Sequence, residues 1–175
     1  FLWEDFIIPL AHSMIPHVEA AVASYKPDVM MVDQQALAGM VVARRHGIPW
    51  ATSATTSAGV TDPLEGLPKV AEWLRDQLTA LQVDSGLLPL AAADCSPHAV
   101  IVFSTTALIG RDDFPGHFHF VGPSIRARSD RAEFPWDALD PTRKRVFISL
   151  GSVNADRGAR FYAAAREAFA DSEFQ

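Results

Sequence analysis

Four short polar endings in this sequence could do chemistry: Asp33; Ser53, Thr55 and Thr56; Ser104, Thr105 and Thr106; and Gly151-Ser152. Each follows an apolar run of the kind that forms a strand buried in a parallel sheet. One such ending is ordinary. Four of them along one sheet edge describe a polar ligand cleft, because open α/β folds bind ligands beyond the carboxyl ends of their strands. Asp33 has two compatible readings. It can cap the helix expected over 34–46, or it can orient a histidine base as the aspartate of a hydrolase triad does. At Gly151-Ser152 a glycine would let the backbone approach an anion, with a hydroxyl and a helix amino end beside it. An ordinary strand-to-helix turn accounts for those two residues equally well. Walker phosphate loops, GxGxxG fingerprints and GxSxG elbows do not occur.

The elements that must position these residues centre on 26–56. Val29 to Val32 reads as a strand buried on both faces. Leu37, Met40 and Val41 fall at i, i+3, i+4, one stripe of a helix over 34–46. Arg44, Arg45 and His46 oppose the negative end of its dipole, Gly47 ends it and Pro49 prevents its resumption. Residues 48–52 supply the next strand, completing a right-handed βαβ unit. Upstream, 1–25 has a helical period that Pro16 should kink or divide. Downstream come a loop over 55–66, a helix from Pro68 to Gly86, and strands at 98–103 and 118–121. Residues 124–145 are polar and proline-punctuated, a linker. A strand at 146–150 and a helix capped by Asn154 follow. A lone strand and helix cannot bury themselves, so the sequence reads as cut at both ends.

Bulk properties exclude several classes. The 175 residues are 49% hydrophobic and 21% charged, an ordinary globular composition. A net charge of −6, with no stripe among the 15 basic residues, argues against nucleic acid. The single cysteine, Cys95, fits a reducing, cytoplasmic compartment and excludes a cysteine-based metal site. No unbroken apolar run approaches the roughly 18 residues of a membrane span. His12 and His17 lack the i, i+4 spacing of a metal pair, and His117 and His119 read as a solvated strand edge. Asp112-Asp113 and Asp137/Asp140 read as solvated or capping residues. Trp50 and Trp73 are either core or the lining of an apolar pocket.

PDVMMVD, a helix, GIPWATSATT, then FHFVGPSI, a linker and VFISLGS occur in that order. In this the chain resembles the UDP-glycosyltransferase superfamily of GT-B fold, particularly bacterial macrolide and natural-product glycosyltransferases. The resemblance implies two Rossmann-like α/β domains facing a cleft: a partial acceptor-binding domain over 1–123, the linker 124–145, and the start of a nucleotide-sugar-binding domain over 146–175. It implies an inverting, metal-independent transfer from a UDP- or dTDP-sugar to a hydroxyl of a small apolar acceptor. The nucleotide sugar is a co-substrate, and no resident cofactor is implied. By position, Asp33 matches the aspartate that orients the catalytic histidine. Gly151 and Ser152 match the turn against the donor diphosphate, while Ser53, Thr55 and Thr56 would border the acceptor pocket. None of the six histidines occupies the place of the family's base, and most of the donor domain is absent, so the isolated chain is expected to be inactive. Two other readings stand beside this one: a non-catalytic small-molecule-binding or subunit-interaction module, and another GT-B enzyme such as a sugar-nucleotide epimerase.

Overall fold

A computed structural model describes residues 2–56, 60, 61, 64, 66–125, 134–151 and 158–175. The chain divides into two compact units, Phe1–Ile125 and Arg126–Gln175.

The first unit is a parallel four-stranded α/β layer. Strands β1 (Met30–Asp33), β2 (Trp50–Ala54), β3 (Ala99–Val102) and β4 (Phe118–Phe120) lie side by side in chain order. Helix α1 (Ile8–Tyr25) precedes β1, α2 (Leu37–His46) joins β1 to β2, α3 (Pro68–Asp84) lies between β2 and β3, and the short α4 (Thr106–Ile109) follows β3. The register sets Met30 beside Trp50, Asp33 beside Ser53, Val32 beside Thr52, and Thr52 beside Val100.

One face of this sheet carries the core. Val32, Trp50, Thr52, Ala54, Val100 and Val102 are buried, and Val32 and Trp50 share a cluster with α1, α2 and α3. On the opposite face Met31 and His119 are exposed and Ser53 and Ile101 are half-buried. The expectation that Val29 to Val32 is buried on both faces is therefore corrected: Val29 is 62% and Met31 64% exposed. β1 is an edge strand, and only its Val32 side is covered, by α2.

Helix α2 is buried from Leu37 through Ala43, more fully than one stripe requires. It closes at Gly47, whose left-handed φ of 63° suits a residue without a Cβ. Its terminal cations do more than oppose the dipole. The Arg44 guanidinium donates to Gln82 Oε1 and the Leu88 carbonyl, and Arg45 Nε donates to the Ser85 carbonyl at 2.9 Å. Glu19 of α1 accepts from Arg45 and pairs with His46.

Two expectations about the first 25 residues are revised. Pro16 does not divide the helix; α1 runs through it after a π-helical turn at Leu2–Ile7. Pro16 and His12, four residues earlier, are both exposed, so water can satisfy the carbonyl that proline leaves without a donor. The run Leu2–Tyr25, 24 residues, is also long and apolar enough to cross a bilayer by length and composition, with a mean hydropathy of 1.3 over its 18-residue window. Its Ile7, Ala11, Ile15 and Val22 pack in the core cluster.

In the second unit, helix α5 (Ala159–Phe169) forms, but Val146–Leu150 does not form the expected strand. A strand needs a neighbour for its backbone groups, and among the described residues of this unit the only bridge joins Lys144 to Phe174. Phe147 is 92% exposed as a result. Asn154, the expected cap, lies outside the described residues.

Candidate functional site

Asp33 ends β1, and both of its carboxylate oxygens are engaged. Oδ1 accepts from the Gln35 amide at 2.9 Å, and Oδ2 accepts from the Thr55 hydroxyl at 3.0 Å. The first bond closes an Asx turn that lets the chain leave the sheet. The expectation that Asp33 caps a helix over 34–46 is corrected accordingly. The helix starts at Leu37, and its capping position, Ala36, has no side-chain bond. A tight turn over 33–36, with the Ala36 amide donating to the Asp33 carbonyl at 2.9 Å, takes up the intervening residues.

Gln34 points to the covered face of the sheet, as the alternation of a strand continued past Asp33 requires. It is 7% exposed, and its Nε2 donates to Asp94 Oδ2 at 3.0 Å and to Cys95 Sγ at 3.4 Å. The segment bearing Asp94 and Cys95 is held under β2: Ser96 N donates to Thr52 Oγ1 at 2.8 Å, and Ser96 Oγ donates to the Trp50 carbonyl. Burial, then the neighbouring Asp94 charge, pushes the Cys95 thiol up to about 12. Cys95 is therefore a neutral thiol at neutral pH and a poor nucleophile.

Beside this turn lies a cavity of about 720 Å³. Gln34, Gln35, Thr56 and Asp94 form polar wall. Leu2, Trp3 and Ile7 from the first helical turns, with Leu74 and Leu78 of α3, form apolar wall, and Arg75 also lines it. Its size suits a small organic molecule, and its mixed lining suits one with an apolar body and a few polar groups.

The structure sorts the residues singled out from sequence. Asp33 and Thr55 are brought into contact. Thr56 lines the cavity; Asp33, Ser53 and Thr55 do not. Ser53 is half-buried in β2, in register with Asp33. Gly151 lies in the second unit, exposed, with its amide donating to Ser149 Oγ at 3.1 Å. Ser152 is outside the described residues. Neither candidate tryptophan lines the cavity: Trp50 is core, edge-on to His98, and Trp73 Nε1 donates to Glu4 Oε1 at 3.3 Å. Trp3 is the tryptophan that does. Sequence reasoning missed Trp3, Gln34 and Asp94. The pair Gln34-Gln35 directly after a strand end was a usable signal; Asp94, in an alanine-rich loop, offered none. Among the described residues, no group of three His, Cys, Asp or Glu side chains could hold a metal ion.

No family model matches the chain. Comparison with known proteins nevertheless points one way. The chain is 29% identical over 169 residues to the NDP-glycosyltransferase YjiC of Bacillus licheniformis and 26% identical over 175 residues to that of Bacillus subtilis. Each match covers 93% of this chain and 42% of the relative, so the chain spans less than half the length of the curated relatives it matches. Among solved structures, the glycotransferase of kitacinnamycin matches with a TM-score of 0.70 and 24% identity, over 99% of this chain and 49% of that one. The fold is thus that of a GT-B glycosyltransferase-like fragment, a parallel sheet with flanking helices. The sequence resemblance to bacterial nucleotide-sugar glycosyltransferases holds across nearly its whole length.

Proposed function

We propose that this chain is part of a glycosyltransferase that moves a sugar from a UDP- or dTDP-sugar to a hydroxyl of a small, largely apolar natural product. The observation that carries this reading is a carboxylate held by both oxygens at the end of β1, beside a cavity of about 720 Å³ with an apolar wall. The likeness to NDP-glycosyltransferases over 93% of the chain supports it.

In this reading residues 1–123 bind the acceptor, 124–145 link, and 146–175 open the nucleotide-sugar-binding domain. Asp33 orients a histidine supplied from outside residues 1–175. That histidine takes the acceptor hydroxyl proton as the oxygen attacks the anomeric carbon. The bond from that carbon to the diphosphate breaks with inversion, and the nucleoside diphosphate leaves. Backbone amides near Gly151 and Ser152 receive its charge, so the reaction needs neither metal nor resident cofactor. Thr56 borders the acceptor, and Ser53 and Thr55 support the strand end next to it.

The test uses a polypeptide that adds to this chain both the segment supplying that histidine and a complete donor domain, incubated with UDP- or dTDP-sugar and an apolar alcohol, with product followed by mass spectrometry. Glycosylated product is expected, falling about 100-fold or more with Asp33→Ala. The 175-residue chain alone should yield none. Unchanged turnover in the Asp33→Ala protein, or product from the chain alone, would remove the assignment.

A further inference from the structure

The geometry points to a protonated amine on the ligand of the large cavity, received by Asp94. This rests on reading that cavity as the acceptor site. Asp94 is half-buried on the polar wall, and its one side-chain hydrogen bond comes from the neutral Gln34 amide. Among the described residues it has no cation within ion-pair distance. The adjacent Cys95 thiol stays neutral, held up by burial and by this same charge. The wall therefore presents a carboxylate that has given up part of its water without gaining a countercharge, and a ligand cation is the group that restores the balance. Gln34, itself 7% exposed, fixes the carboxylate from behind. Among the described lining residues the other charge, Arg75, lies on the exposed side of α3, where water solvates and screens it. An anion there gains little. Trp3, Leu74 and Leu78 take the ligand's apolar body. The expected acceptor class is an apolar molecule with both a free hydroxyl and a basic nitrogen.

Calorimetric titration of the 175-residue chain near pH 7 with three matched probes tests this: phenylbutylamine, phenylbutanol and phenylbutyrate. The amine should bind on the order of tenfold tighter than the alcohol, and the carboxylate more weakly than either. Asp94→Asn should abolish the amine preference, and retained binding of the alcohol reports that the cavity is intact. A variant-free check is the Gln34 side-chain amide resonance, which should shift with the amine and not with the alcohol. Alcohol binding without an amine preference, or a preference that survives in the folded Asp94→Asn chain, overturns the role of Asp94 and leaves the acceptor-site reading standing. Binding of none of the three overturns the acceptor-site reading, and this inference with it.

Discussion

Thr55 donates its hydroxyl to Asp33 across 3.0 Å, tying the end of β2 to the end of β1 just beyond their last paired residues, Asp33 and Ser53. With the Gln35 amide on the other oxygen, the carboxylate is fixed by two elements. A group that is to orient another side chain, the role proposed for Asp33, must itself be held.

Substitution at Thr55 should separate the hydroxyl from its bulk. Thr55→Val keeps the shape and loses the donor, and we expect it to cost about 1 kcal/mol, the usual worth of a hydrogen bond in a largely exposed setting. Thr55→Ser should cost less than half of that. Urea unfolding of the two variants reads the difference. Equal midpoints would mean that the Asx turn alone holds Asp33.

Gln82 is a heavily engaged buried polar side chain of the first unit. It is 0% exposed. Its Oε1 accepts from Arg44 and from the Leu90 amide at 2.8 Å, while Nε2 donates to the Leu78 and Leu90 carbonyls at 3.0 and 3.3 Å. Gln82→Leu fills the same space but strands those groups, including a guanidinium that burial already draws below its ordinary pKa. Destabilisation of about 2–4 kcal/mol is expected. A shift in the thermal midpoint of less than a degree or two would show that the segment after α3 relaxes to find water.

The contact between α1 and α2 carries a pH dependence. Hydrogen bonds first from His46 and then from Arg45 hold the Glu19 carboxyl below its usual range. A carboxyl depressed by folding stabilises above its unfolded pKa, about 4.3, and that contribution is lost as pH falls through the folded value. Glu19→Gln should therefore lower stability near neutral pH, by less than about 1 kcal/mol because the pair is partly solvated and screened. The difference from the parent chain should shrink towards zero as pH drops below about 4. Denaturant midpoints at pH 7 and pH 3.5 decide it. A constant difference would assign the effect to shape rather than charge.

Much of this fold was legible because the signals were local. Gly47 and Pro49 mark the end of α2, and the apolar runs at 29–32 and 98–103 mark two of the strands. What local pattern could not supply was which strands lie at an edge. Met31 and Val32 are equally apolar, yet one is 64% and the other 6% exposed, because only the side of β1 facing α2 is covered. The same limit hid the site. Asp33 and Thr55 were both visible as strand endings, but their contact depends on the β1–β2 register. Trp3 and Asp94 reach one cavity from segments far apart in the chain, and no spacing rule joins them. Val146–Leu150 shows the converse: it has strand propensity, but among the described residues no neighbouring strand pairs with it, and no strand forms.

Gly39 gives the sharpest test of how β1 is seated. A Cβ built there would lie 2.8 Å from Val32 Cγ1 and 3.0 Å from Cγ2, inside a buried stretch of α2. Alanine is otherwise the better helix residue, by about 1 kcal/mol, so propensity and packing oppose each other at this position. Packing should win. Val32 is branched, 6% exposed and restricted at χ1, so it has little room to swing aside, and α2 must lift from β1 instead. We expect Gly39→Ala to destabilise by about 1–2 kcal/mol net. Pairing it with Val32→Ala should recover part of that loss, because the second change opens the space the first one needs. A double-mutant cycle measured by urea unfolding checks both statements. Strict additivity would mean that the two residues do not share the contact. A stabilised single variant would mean that the helix sits far enough from the strand to accept a methyl group.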